Sequence, residues 1–387
     1  MNIHAFDFFS PQRLVYGPGR ISRLPELAAS FGKNLILVTG KSSFLNSGEW
    51  ESLEKGFAHK GIRVQLVSIP GEPSPEDIDP IAQRFDHGGI DLVVAVGGGS
   101  VVDGGKAVSA MAGRPGSVID YLESVGTRSH SGRKLPFIAV PTTSGTGSEA
   151  TKNAVISRQG IKGFKKSLRH NNFIPDIALV DPGLTLTCPA PVTAACGMDA
   201  LTQLLEAYVS VQASPMTDAL CISGLEGFGK ALEIAVETDP KNLAARTRLS
   251  YGAYLSGLAL ANAGLGTVHG FASVIGGMSM MSHGNVCGTL LAETTKATID
   301  ALQAEFPAHP ALEKYAHAAR LLNFPNPGCN SLIDGLFEWT QRFGMPKLSW
   351  EGISEDDIPS IAQAAGQKNN PAELSPECLG RILTSRL

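Results

Sequence analysis

The sequence predicts an α/β N-terminal domain with a parallel sheet over residues 1–184, followed by an all-α C-terminal domain over residues 185–387. Three observations predict it. Short apolar runs alternate with helical patterns through the first half, the strand signals stop near Thr187, and two of the apolar runs end in turns rich in glycine and hydroxyl residues.

The runs at 35–39, 64–68, 92–96, 137–140 and 177–180 are dense in Val, Ile, Leu and Ala and show no polar alternation, as expected of strands buried on both faces. An earlier run, 13–16, stands before Gly17-Pro-Gly19 and reads as an extra edge strand. Amphipathic stretches at 48–60 and 75–87 fit the helices of βαβ units. After the proline-bearing segment 182–191, which reads as the linker, Ala-, Leu- and Gly-rich helical stretches run to the end, interrupted at Pro307, Pro310, Pro325 and Pro327.

Composition narrows the function classes. A chain of 387 residues, 43% hydrophobic and 18% charged, is long enough for two cores. A net charge of −4 with no long run of Lys or Arg argues against nucleic acid or an anionic membrane as partner. No apolar run reaches the ~18 residues needed to span a bilayer. The opening Met1-Asn-Ile-His-Ala-Phe6 has no basic segment followed by an apolar one, so no secretory leader is expected. Cys188, Cys196, Cys221, Cys287, Cys329 and Cys378 are scattered without a C-x-x-C pair, which predicts reduced thiols in a cytoplasmic protein.

The first chemical signal is Gly97-Gly-Gly-Ser100-Val-Val-Asp103-Gly-Gly-Lys106, directly after the run at 92–96. Strand, glycine turn and helix start let phosphate oxygens approach bare backbone N–H groups, and a side chain at Gly98 or Gly99 would block that approach. Glycine there would also permit a positive φ. The spacing is neither G-x-G-x-x-G nor G-x-x-x-x-G-K-[ST]. The second turn, Pro141-Thr-Thr-Ser-Gly-Thr-Gly-Ser-Glu149, follows the run at 137–140. Two such turns after parallel strands lie on one sheet edge, where a dinucleotide binds.

The helical half carries the second signal. Asp199 and Gln203 stand at i and i+4 near a helix start, and His269 and His283 are each followed by glycine. One carboxylate and two imidazoles suit Zn²⁺ or Fe²⁺. The other seven histidines, His59, His87, His130 and His317 among them, read as surface or satisfied core residues.

Together these motifs, with Gly197-Met-Asp199-Ala-Leu-Thr, resemble the iron-containing (group III) alcohol dehydrogenases, in order and over nearly the whole chain. The resemblance implies a Rossmann-like domain plus a helical domain in a dehydroquinate synthase-like architecture, a site in the cleft, and a homodimer. It implies that Gly98, Gly99, Ser100 and Asp103 line the pyrophosphate and nicotinamide side of the cofactor, that Thr142, Thr143 and Thr146 hold its phosphates and ring, and that Lys165 contacts it. Asp199, His269 and His283 fall on its metal-ligand positions. This sequence departs from the family at two places: its Asp-x-x-x-His pair is Asp199 and Gln203, a weak neutral oxygen donor, and its His-Gly-x-x-His is His269 to Ser273.

Where family members that prefer NAD carry an aspartate, this chain has Gly40, followed by Lys41, Ser42 and Ser43. With no carboxylate to repel a 2′-phosphate, NADP is expected ahead of NAD. The expected activity is interconversion of an alcohol with an aldehyde or ketone by NAD(P)-linked hydride transfer, with a divalent ion polarising the substrate oxygen. No side chain stands out as general base, which leaves water, the cofactor ribose or Ser273. A metal-independent enzyme like the maleylacetate reductases and a non-catalytic nucleotide-binding protein remain open. A dehydroquinate synthase-like lyase is disfavoured, because 189–207 and 264–285 contain no Lys or Arg to hold a phosphorylated acid.

Overall fold

The computed structural model describes residues 5–84, 89–158 and 163–387; His87 lies outside the described residues. The chain divides into two compact units. One comprises Phe9–Thr143 and Ser148–Leu186, the other Thr187–Leu387 together with Ser144–Gly147.

The first unit runs β1 (Arg13–Tyr16), α1 (Leu24–Ala29), β2 (Asn34–Thr39), α2 (Gly48–His59), β3 (Arg63–Ser68), α3 (Pro75–Arg84), β4 (Leu92–Gly97), α4 (Gly99–Met111), β5 (Phe137–Pro141), β6 (Asn153–Arg158), β7 (Phe164–Arg169) and β8 (Ile177–Val180). Six strands form one all-parallel sheet in the order β1-β8-β5-β4-β2-β3. Alternate side chains explain its apolar composition. Ile36, Val38, Val93 and Ala95 face a layer that includes Ile78 of α3 and Val102 of α4, while Leu35, Leu37, Leu92 and Val94 face Leu24 of α1 and Phe57 of α2. The 13–16 run forms the sheet edge as read from the sequence, parallel to β8.

β6 and β7 pair as a separate antiparallel hairpin, with Asn153 opposite Arg169. Sequence reasoning passed over them because only Ala154, Ile156 and Leu168 enter the core beside α4, and most of the other residues are polar.

The second unit is helical: α5 (Ala190–Val209), α6 (Pro215–Leu225), α7 (Phe228–Glu233), α8 (Leu243–Ala263), α9 (Thr267–Met278), α10 (His283–Glu305), α11 (Pro310–Leu321), α12 (Cys329–Arg342), α13 (Ile358–Ala364) and α14 (Pro376–Thr384). Helix α5 is buried along most of its length and packs against α6, α8 and α10, so it is apolar all round rather than amphipathic. Its approach to α10 depends on glycine. A Cβ at Gly284 would fall 2.4 Å from the Ala195 carbonyl oxygen, and one at Gly288 would fall 2.9 Å from Met198 Cβ. Among the described residues no single helix is long and apolar enough to cross a membrane.

Gly284→Val is therefore expected to lower the unfolding free energy by about 1–3 kcal/mol, because the Cβ meets backbone that cannot yield. Gly48→Ala, where a Cβ meets nothing, should leave stability unchanged or slightly raised. Chemical denaturation of the two variants checks the pair.

Candidate active site

The tips of β4 and β5 are tied directly: Gly97 stands opposite Pro141, and the Thr142 N–H donates to the Gly97 carbonyl at 2.9 Å. The three glycines after β4 have separate reasons. A Cβ at Gly97 would press to 2.6 Å from Val101 Cβ. Gly98 is the N-cap of α4, with φ −68° and ψ 179° and no side-chain cap. A Cβ there would meet only the Thr143 side chain, at 3.6 Å, so the protein itself does not exclude one. The positive φ expected at Gly98 or Gly99 is not adopted. The chain passes from extended to right-handed helix without reversing, which any residue could do. What glycine preserves is an uncapped helix start with bare N–H groups, the usual receptor for phosphate oxygens.

Around this tip lie half-buried Gly99, Ser100, Thr142 and Thr143. The register of β2 with β4 brings Thr39 opposite Val96, so Gly40 follows at the neighbouring strand end, with Lys41 and Ser42 exposed beyond it.

Three other expected cofactor residues are engaged with different partners. Asp103 is buried in α4, and its Oδ2 accepts from the Val155 N–H at 3.0 Å. Burial pushes its pKa up against the pull of Lys106. Lys165 is ion-paired with Glu72, and Thr146 groups with the helical unit. In that unit the neighbouring Ser144 Oγ lies 2.9 Å from Ser250 Oγ.

Lys106 supplies a connection the sequence did not reveal. Its ammonium is wholly buried and donates to the carbonyls of Ser148 and Asn153 at 2.8 Å each, and to the carbonyl and hydroxyl of Thr151 at 2.9 Å each. It thus pins the end of the second turn to α4. Burial lowers its pKa to about 8 and raises that of the buried Glu149 to about 7.

In the helical unit, three helices converge on one point. Asp199 of α5 is 2% exposed, and its Oδ1 has no hydrogen-bond partner. That oxygen lies 3.4 Å from His269 Nε2 at the start of α9 and 3.7 Å from His283 Nε2 at the start of α10. Burial opposes ionisation of Asp199, but the two imidazoles hold its pKa below the ordinary carboxylate value. Burial likewise opposes protonation of His269, yet its contacts with the Cys287 sulfur and with the carboxylates of Glu206 and Asp199 raise its pKa well above the usual value.

Glu206, two turns along α5 from Asp199, fixes the ring of His269. Its Oε2 accepts from Nδ1 at 2.7 Å, and its Oε1 accepts from the Val268 N–H at 2.7 Å. A carboxylate only accepts, so Nδ1 carries a proton, and Nε2 is the nitrogen turned toward Asp199.

Gln203, expected as a weak oxygen ligand, is otherwise occupied. Its Oε1 accepts from the Ser256 hydroxyl at 2.7 Å and its amide nitrogen donates to Asp199. Ser273 is exposed, one turn beyond His269. Cys287 joins the cluster unannounced: its Sγ lies 3.8 Å from both Nε2 atoms. Its position at i+4 from His283 was the available signal, since that spacing shares a helix face. Glu206, at i+3 from Gln203, had the same kind of signal.

The donor chemistry fits a divalent cation. A partnerless buried carboxylate oxygen faces two imidazole nitrogens, and the histidine most tightly held has a carboxylate behind it, as metal-bound histidines do. A parallel-sheet unit with an open helix start, and a helical unit with this donor set, define a class: oxidoreductases that pair a nicotinamide dinucleotide with a divalent metal.

Comparison with known proteins carries the assignment further. The model of the iron-containing alcohol dehydrogenase family matches residues 11–182, and that of the C-terminal domain of the Fe-containing alcohol dehydrogenase family matches residues 193–387. Long-chain-alcohol dehydrogenase 1 of Geobacillus thermodenitrificans is 32% identical over 383 residues, covering 95% of this chain and 93% of that protein. The crystal structure of a 1,3-propanediol oxidoreductase superposes with a TM-score of 0.87 at 28% identity, covering 99% of this chain and 100% of the other. Sulfoacetaldehyde reductase from Bifidobacterium kashiwanohense, solved in complex with NAD⁺, gives a TM-score of 0.85 at 26% identity over 99% of each chain. The chain belongs to the iron-containing alcohol dehydrogenase family: it is an NAD(P)-dependent oxidoreductase that interconverts an alcohol and an aldehyde or ketone.

The buried carboxyl of Glu149 gives a pH signature. Its folded pKa, about 7, stands above the unfolded value of 4.5, so its stabilising contribution is complete below 4.5 and is lost as pH rises to about 7. From this group the unfolding free energy is expected to fall by up to about 3 kcal/mol across that window. Glu149→Gln should flatten that part of the profile, as measured by denaturant titrations at stepped pH.

Proposed function

We propose that the chain catalyses this reaction with NADP as the preferred cofactor, bound across the tips of β4, β5 and β2, and with a divalent ion held by Asp199, His269 and His283. The convergence of two imidazole nitrogens, from α9 and α10, on the orphan oxygen of Asp199 on α5 carries the metal reading, and it argues against a metal-independent reductase. When bound, the ion supplies Lewis acidity toward a substrate oxygen, and the nicotinamide gives or takes the hydride.

The chain's own residues do the rest. Asp199 brings a negative charge that offsets part of the cation's. Glu206 and the Val268 N–H hold His269 in the ligating tautomer and orientation. Gln203 steadies Asp199 from behind through its amide. Exposed Ser273, a turn from His269, is the hydroxyl available to relay a proton to water. Gly98 leaves the phosphates room at the start of α4, and Lys41 with Ser42 offers a cation and a hydroxyl to a 2′-phosphate. The absence of disulfides among the described residues supports a reducing, cytoplasmic setting, and the family resemblance supports a homodimer.

NADPH consumption against a panel of aldehydes, with metal analysis of the purified protein, tests the reading. Asp199→Ala should lose bound metal and turnover together; retained turnover without metal would overturn the Lewis-acid role. Gly98→Val should raise the KM for cofactor at least about tenfold with the melting temperature unchanged, because the new side chain occupies ligand space rather than protein. Lys41→Ala should weaken NADPH about tenfold and leave NADH unaffected, the value of one charge-assisted contact. Equal KM values for the two cofactors in the parent enzyme would sink the NADP preference.

A further inference from the structure

The Asp-x-x-x-His pair of the family is broken here by Gln203, yet the centre keeps four potential donors. Asp199, His269, His283 and Cys287 each direct one ligand atom to a common space, and these atoms all lie within 4.8 Å of one another. Cys287 has no exposed surface, and it faces a buried carboxylate oxygen that no proton donor satisfies. Gln203 cannot take the missing place without surrendering the Ser256 hydroxyl that its oxygen accepts.

We propose that Cys287 is the fourth protein ligand of this centre, giving an Asp-His-His-Cys site built for zinc in place of iron. The proposal rests on the metal-assisted reading above. Spacing supports it quantitatively. Ligands about 2.0–2.3 Å from a tetrahedral ion stand about 3.3–3.6 Å from one another. The separations found are 3.4 and 3.7 Å from Asp199 Oδ1 to the two imidazoles, and 3.8 Å from Cys287 Sγ to each imidazole. Four of the six separations thus lie within a few tenths of an ångström of a tetrahedral cage, and the other two are no more than 4.8 Å. His283 and Cys287 sit one turn apart on α10, so a single helix supplies both donors without loop rearrangement.

Chemistry supports zinc. Thiolate is a soft donor that favours Zn²⁺ over the harder preferences of a carboxylate and water site. On binding, the S–H bond of Cys287 breaks, sulfur keeps the electron pair and bonds the ion, and the proton leaves to solvent; nothing is oxidised or reduced.

Cobalt(II) reports thiolate ligation directly. The full-length protein, stripped with chelator, is titrated with Co²⁺ alone. The expected result is one equivalent bound, with intense visible ligand-field bands of a tetrahedral ion and a thiolate-to-cobalt charge-transfer band in the near ultraviolet. Cys287→Ser should abolish the charge-transfer band, weaken Co²⁺ and Zn²⁺ binding at least tenfold, and leave the far-ultraviolet circular dichroism of the metal-free protein unchanged. X-ray absorption at the zinc edge of the Zn²⁺-loaded parent should show one sulfur donor at about 2.3 Å; this readout holds even if the serine variant folds poorly. Cobalt bound without the band, with a zinc spectrum that shows no sulfur donor, overturns the thiolate ligand and leaves the three-residue site standing. No cobalt uptake, in the parent as in Asp199→Ala, overturns both readings.

Discussion

A buried carboxylate that the protein alone does not satisfy governs the helical unit. Moving a charged group out of water costs several kcal/mol even after relaxation, and the cost is recovered only when its oxygens find opposite charge or hydrogen-bond donors. Asp199 receives an amide from Gln203 but keeps one oxygen without a donor, with two imidazole nitrogens just beyond hydrogen-bonding geometry. Several features of the surrounding helices serve that arrangement. Gly284 admits α10 to within contact of the α5 backbone, which sets His283 against Asp199, and Glu206 reaches from the same α5 to orient His269. A purely structural ion pair would close these gaps with direct hydrogen bonds. The two nitrogens instead stand 3.4 and 3.7 Å away, close to the about 3.3–3.6 Å between donors that share a tetrahedral ion.

The α/β unit solves a different problem, that of keeping a backbone surface bare. The residues that follow the second turn are tethered from below. Lys106, without access to water, donates to three consecutive structural points after the turn. Losing that ammonium would leave several buried carbonyls without donors, at about 1–3 kcal/mol each. The cation therefore belongs to the scaffold of the site, although it sits in a motif that reads as a ligand fingerprint. Asp103, three residues earlier, is turned the same way, toward the β6–β7 hairpin.

What the sequence made legible follows from how many faces an element buries. Strands β2, β4 and β5 are covered on both sides and read as unbroken apolar runs. β6 and β7 are covered on one, and their charged outer residues, Lys165, Lys166 and Arg169 among them, masked them. Asp199, His269 and His283 could be picked out because carboxylate and imidazole are rare in such apolar surroundings. Cys287 could not, because a buried thiol is ordinary in a core and only its three-dimensional neighbours give it another meaning. Glu206 escaped for a related reason: its role depends on α9 folding back beside α5, a contact between residues 63 positions apart. The glycines of the first turn end β4 and open α4 as the sequence suggested, but the positive φ that glycine permits is not used at Gly98 or Gly99.

The two departures from the family pattern also bear on whether the centre is intact or decaying. In an abandoned site, selection for stability alone would replace buried polar groups with apolar ones of similar volume, a change that is often neutral or favourable. The opposite is found. Gln203 is fully committed, donating to Asp199 and accepting from Ser256, whose hydroxyl in turn is wholly buried on α8. Glu206 uses both oxygens, and the unsatisfied Oδ1 of Asp199 points at the other donors and not into apolar packing. Buried polar groups held in this way are costly to keep for stability's sake alone.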